Sequence, residues 1–471
     1  MSENGAADVD GTSPDFSSLP DVAWVRILQH LPLQDRARAA RTCHALTDAF
    51  NHPSLWSTQT LHFLGNDDNF RRKAEAVTAS NYYLALTKQF GQYFQHLTIK
   101  ISGHLRKMAG ELQELLIEVA ENCRLESLTL DVGRQTSQFH TNYGFPPDTE
   151  SIRVLAAFVR HAFRMKHLNI RSWPMFEGII TKDECNIFKA LKSNEKLKKN
   201  LEKLTIFWLD EVTWSERRPI LLSPEDSLDL VCNFRNLTTL GLRSPMISNE
   251  LLISLADRTR RKLENLKIVV HFINDSKFQV PRVTPKTWQS LIDRNPNLRV
   301  EVLVFLATPD FELANLLPPE VPVSHFMYMK YSKVDPATLT KLHTQYNTTL
   351  TAFHSLCDSY NMDDELILLC ERCEYLTDFI YHGEIYVNTV IRLAKLRGNK
   401  WQRFELNEAN VKIHTEYDDI DDDQVLQRDA DGNLVQVGLF RFHAADENQL
   451  QTMIVEVSSA LGTSWRPRVV R

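Results

Sequence analysis

Cys370-Glu-Arg-Cys373 is the one Cys-x-x-Cys of this sequence, the spacing with which many thiolate zinc sites begin. A structural zinc needs two more ligands at comparable spacing, and His382 is the nearest candidate. Leu366, Leu369, Cys370 and Cys373 instead fall on one helical stripe, so the two thiols read as small core residues. Asp429-Ala-Asp431-Gly432-Asn433 looks like part of a calcium loop. With Gly432 in the loop's sixth position, Gln427 and Gly438 stand where the first and twelfth carboxylates belong. The segment reads better as a hairpin turn beside an acidic loop. No Gly-x-Ser-x-Gly, Walker loop, His-Glu-x-x-His or dinucleotide fingerprint is present, and the 16 histidines are scattered. The sequence therefore predicts no catalytic residue, no metal site and no cofactor. An enzyme with its site near the loop over residues 211–226 is the weakest reading, for want of a nucleophile or ligand set.

What remains is binding, and composition narrows the partners. The 54 basic and 60 acidic residues leave a net charge of −6, which does not suit a coat for nucleic acid or anionic lipid. No apolar run approaches the ~18 residues of a membrane-spanning helix. Residues 1–18 are polar and acidic, unlike a secretory signal, so a cytoplasmic or nuclear protein is expected. Seven scattered cysteines fit reduced thiols better than a disulfide framework.

The elements that would position a binding surface recur. Short alternating segments stand at His96, Ser127, His167, Lys203, Thr239 and Asn265, and looser copies surround Val300, Phe326, Phe353, Phe379 and Phe404. Each reads as a strand with one face buried. Helical spacing fills most gaps: residues 105–123, 152–163, 183–191, 249–261, 337–346 and 363–375. Strand then helix, repeated every 25 to 40 residues, predicts an α/β solenoid of leucine-rich-repeat type, with parallel strands concave and helices convex. A doubly wound α/β enzyme is disfavoured because no strand leads into a Gly-rich turn, and only 15 of 471 residues are Gly.

Within each strand the residues between buried anchors should face outward. This predicts a basic sector with Lys100, Arg171, Arg243 and Lys267, and a more apolar one with Val269, Met327, Met329, Leu356 and Ile380, Phe207 lying between. Lys100, Arg171, Phe207, Arg243, Lys267, Met327 and Met329 are the candidate substrate-binding residues. The basic sector would pair with an acidic or phosphorylated segment and the apolar one would supply desolvated contact.

The stretch from Leu19 to Trp56 stands apart. Trp24, Ile27, Leu28 and Leu31 form one helical stripe behind Leu19-Pro20. After Pro32 the pattern restarts, with Asp35 as a predicted N-cap and Ala39, Cys43, Leu46 and Phe50 on a second stripe. Thirty-eight residues bury too little to fold confidently alone. Leu19-Pro20, Ile27-Leu28, Leu31-Pro32, Ala39, Cys43 and the closing Leu55-Trp56 resemble the F-box family, with Val22, Trp24 and Leu46 as departures. The resemblance implies that Leu19, Pro20, Trp24, Ile27, Leu28, Leu31, Ala39 and Cys43 bind the Skp adaptor, and through it a cullin-RING ubiquitin ligase. The repeats would then hold an unknown protein substrate. Residues 89–97 are similar to the run that leads into the first repeat of F-box only protein 39 and its near relatives. The expected division is a disordered tail over 1–15, an F-box over 16–62, a helical linker or cap over 63–96, and the solenoid over 97–434. An acidic loop at 416–431 and a C-terminal cap over 435–471 complete it. The alternative is a repeat scaffold without any ubiquitin-ligase role.

Overall fold

The computed structural model describes residues 19–64, 81–102, 109–133, 149–162, 164–172, 183–206, 222–271, 282–305, 316–330, 334–413 and 447–469, with 332, 425–428, 434–437 and 443–444. The chain divides into two units, Met1–Leu201 with Leu209–Ile220, and Glu202–Trp208 with Leu221–Arg471. The tail over 1–18, Phe207, the turn at Asp429–Asn433 and most of the acidic loop lie outside the described residues.

The first unit opens with four short helices, α1 (Asp21–Gln29), α2 (Leu33–Ala39), α3 (His44–Asn51) and α4 (Pro53–Trp56). Two local expectations change here. Asp35 is not the cap of α2: the helix starts after Pro32, whose ring fixes the entry, and Asp35 sits in the first turn and pairs with Arg38 at 3.0 Å. Cys43 is not inside a helix but precedes α3, because the chain breaks between Ala40 and Cys43. Four parallel strands follow: β1 (Thr58–Leu64), β2 (His96–Ser102), β3 (Ser127–Gly133) and β4 (His167–Ser172). β1 is an addition to the predicted set, and only Ser57 separates it from α4. The helices Ala109–Asn122 and Thr149–His161 form the crossovers that parallel pairing requires. Leu97, Ile99, Leu128, Leu130, Leu168 and Ile170 are buried on one side of the sheet, as are Leu115, Val119, Leu155 and Val159 of those helices.

The second unit repeats the plan with β5 (Lys203–Ile206), β6 (Thr239–Arg243), β7 (Asn265–His271), β8 (Arg299–Phe305), β9 (Val323–Tyr328), β10 (Ala352–Ser355), β11 (Asp378–Tyr381) and, past β12 (Ile385–Tyr386), β13 (Arg403–Leu406). From β5 to β11 and on to β13, each strand pairs in parallel with the next. All eleven predicted strand anchors lie in strands. The architecture is an N-terminal set of helices followed by an α/β solenoid of parallel strands. β14 (Val411–Ile413) joins β12 and β17 (His443–Ala444) in a small side sheet, and β15 (Val425–Arg428) pairs antiparallel with β16 (Leu434–Val437).

Helix starts follow local chemistry. Ser223-Pro224, Thr284-Pro285 and Asp335-Pro336 each place a side-chain acceptor at the N-cap and Pro in the first turn. Helix ends are closed by the next repeat. Arg260 donates to the carbonyls of Val231 (3.1 Å) and Phe234 (2.6 Å), Arg294 to that of Arg260 (3.0 Å), and Arg397 to those of Cys370 (2.6 Å) and Cys373. Asn194 does the same for Val159 (3.1 Å) and Ala162 in the first unit. These bonds satisfy carbonyls at the helix ends and in the turns that follow them, and tie each repeat to its neighbour.

Candidate functional site

The N-terminal helices keep a thin core. Val25 and Leu28 of α1 are buried, Ala49 of α3 is buried, and no residue of α2 is. The module closes on aromatic rings instead. Trp56 stacks on Phe90 with centroids 4.2 Å apart, Phe50 meets both rings edge-on, and the Trp56 indole donates to the Phe50 carbonyl at 2.7 Å. Of the predicted adaptor residues, Pro20, Ile27 and Cys43 are exposed, Leu19, Trp24, Leu31 and Ala39 are half-buried, and Leu28 is fully buried. Leu28 thus supports the module from inside. Val22, which was read only as a departure from the pattern, is 66% exposed, and Ile27 is 43% exposed. Two large apolar side chains on one nine-residue helix therefore face solvent.

On the open face of the repeat strands the predicted columns are partly redrawn. Lys100 is half-exposed and opposite Asp131, but Arg171 drops out of that row. The register shifts after Leu130 and sets Ser172 opposite Asp131. In the second unit Arg243 is buried and Lys267 is ion-paired with Glu301 at 2.6 Å, so neither is an open cation. Met327 does not continue the row of Lys267. A shift after Val300 pairs Glu301 with His325, so the row runs Lys267, Glu301, His325, Ala352, Asp378, Arg403. The adjacent row runs Val269, Leu303, Met327, His354, Ile380, Glu405. Met329 is half-exposed just past β9. His325, His354, Glu301 and Asp378, absent from the predicted site, are brought together by this register. A signal existed in the sequence: His-x-Met at 325 and His354 share the alternate positions of consecutive repeats.

Residues 16–62 match the family described as F-box-like. The chain is 21% identical over 412 residues to the F-box/LRR-repeat protein 21 of Mus musculus, covering 85% of this chain and 87% of that one. It is 23% identical over 504 residues to the F-box only protein 33 of Homo sapiens, covering 97% and 83%. This chain is an F-box protein with leucine-rich repeats. Among solved structures, the F-box protein is similar to the leucine-rich repeat-containing protein LegL7 from Legionella pneumophila, at 12% identity and a TM-score of 0.34 over 85% of this chain and 98% of that one. The repeat fold rests on the parallel strands themselves.

Several ionisable groups of the F-box protein are shifted by their surroundings. Burial would raise the Glu405 carboxyl, but hydrogen bonds from Arg403 (2.9 Å) and Arg468 (3.0 Å) outweigh it and hold the group at about 2. His382 Nε2 lies 3.5 Å from the same carboxylate. Burial holds His325 below its ordinary range. Cys370 and Cys373 are buried in the repeat core, which pushes both thiols up, Cys373 to about 12. Such thiols are poor metal ligands and poor nucleophiles. Among the described residues no three His, Cys, Asp or Glu side chains are set to hold a metal ion, and no helix is long and apolar enough to cross a membrane.

Proposed function

We propose that this F-box protein is the substrate-recognition subunit of an SCF-type ubiquitin ligase, working in the cytoplasm or nucleus, with the F-box over 16–62 bound to the Skp adaptor and the repeats bound to a protein substrate. The observation that carries the reading is an F-box whose α1 exposes Val22 and Ile27 while its far side is fixed to the first strand of a repeat sheet. Pro20, Ile27 and Cys43 supply exposed contact with the adaptor, Leu19, Trp24, Leu31 and Ala39 flank it, and Leu28 holds the helix in place. The names of the relatives support the same role. The narrower kinship with F-box only protein 39 has the run over residues 89–97 in its favour.

The chain makes no bond in this scheme. It raises the local concentration of substrate lysines near the charged conjugating enzyme, and the direct junction of α4 to β1 limits the freedom of the substrate relative to the F-box. The test is co-purification of Skp adaptor and cullin with the full chain and with an Ile27→Ser, Pro20→Ala variant. Truncation at residue 60 is a poor control because it removes Trp56 and cuts β1. Capture by the native chain and loss in the variant is expected. No capture by the native chain would leave a repeat scaffold without a ligase.

A further inference from the structure

Around Leu303 and Met327 the open strand face of the second unit pairs its charges within the chain. Lys267 is 2.6 Å from Glu301, His354 Nε2 is 2.9 Å from Asp378, and Glu405 is shared by Arg403 and Arg468. In this row Lys267 is paired with Glu301, and Arg403 and Arg468 with Glu405. A phosphate or carboxylate arriving here would have to break an existing pair. Next to this row lies an apolar patch with no such demand. Leu303 and Met327 are cross-strand partners, and Met329 and Leu356 continue their strands through hydrogen bonds to Val304 and Tyr328. All four are half-exposed. They span three adjacent strands, about 10 Å, the reach of about three extended residues. Two of the four are Met, whose flexible thioether side chains adapt to varied apolar partners.

We propose that this patch docks a short extended segment of the substrate whose contacting side chains are apolar and uncharged, and that docking is proton-linked through His325. The inference rests on the substrate-receptor reading and gives it a ligand chemistry opposite to the acidic or phosphorylated segment suggested by the sequence. His354 is the cross-strand partner of Met327, and His325 lies two residues before Met327 on β9. The groups facing His325 are Lys267 of β7, Glu301 of β8, His354 of β10 and Asp378 of β11, and the Ser324 hydroxyl is 3.0 Å from its Nδ1. His354 Nε2 lies 2.9 Å from Asp378. A docked apolar segment excludes water from the His325 ring and disfavours its imidazolium form. The bound state then holds fewer protons than the free state, so affinity falls as the pH falls. An acidic segment would respond in the opposite sense, because protonation adds positive charge beneath it.

The experiment uses the full chain with the Skp adaptor and a hexapeptide library with blocked termini that includes phosphoserine. Uncharged sequences rich in Leu, Ile, Met or Phe should be enriched at pH 7.5. Their affinity should fall about tenfold in Leu303→Asp and in Met327→Asp, and up to about twofold between pH 7.5 and 6.0 in the native chain. A His325→Gln variant should still bind but lose most of that pH response. Leu303→Ser, a milder change with unaltered circular dichroism, should show the same direction of loss. Enrichment of acidic or phosphorylated peptides, binding indifferent to position 303 and position 327, or no enrichment at all would overturn the proposal. Adaptor capture is measured on the same samples. Its absence alongside apolar selection would sink the ligase reading and leave the docking chemistry standing.

Discussion

The F-box helices and the repeats solve the problem of burial in opposite ways. In the repeats the strands bury alternate residues or, in β6 and β10, every residue, helices cover them, and arginines close helix ends of the preceding repeat. In the F-box α2 buries no residue fully and α1 leaves Val22 and Ile27 in solvent. The repeats close a continuous core of their own, whereas the F-box helices bury few of their apolar residues. Excess apolar surface on a small module marks a place for a partner, while a saturated core marks a scaffold.

Four changes should break or sharpen this contrast. Trp288 is fully buried in the repeats and its indole donates to the Leu316 carbonyl at 2.9 Å. Trp288→Ala should cost about 3–5 kcal/mol in denaturant unfolding, from the cavity and the orphaned carbonyl. Arg260→Ala removes both bonds to the end of the preceding helix, and the same measurement should show a loss of about 2 kcal/mol. Glu405→Gln should cost less and in a pH-dependent way. A carboxylate held at about 2 when folded stabilises above its ordinary value near 4.5 and loses that contribution as the pH falls toward 2. The variant should therefore be weaker than the native chain at pH 7 and converge with it by pH 2. Ile27→Ser in the F-box should change stability by less than about 0.5 kcal/mol while adaptor capture disappears. In parallel, a maleimide should label exposed Cys43 and Cys232 in the native chain, and the Skp adaptor should shield Cys43 alone.

Much of the repeat domain was legible because its period is carried by the buried residues, and buried Leu, Ile and Val leave a pattern of two in each strand. The helices Pro224–Cys232, Pro285–Arg294 and Val387–Arg397 were missed, although Ser223-Pro224 and Thr284-Pro285 are start signals of the kind that mark helices. β1 was missed because its signal, Leu61 and Phe63 between polar residues, is short and abuts the F-box. The open face was the least legible part. One register shift after Val300 moves every later outward residue into a different row, and the side-chain alternation of the sequence does not reveal it. For that reason the pairing of Lys267 with Glu301, and of Glu301 with His325, is not visible in the sequence.

Hydrogen exchange on the full chain, with and without the Skp adaptor, tests the contrast most directly. Amides of α1 to α3 should slow markedly when the adaptor binds, and those of β6 to β11 should exchange at unchanged rates. Protection confined to the repeats, or none in residues 21–51, would contradict an F-box completed by its partner and a repeat domain complete without one.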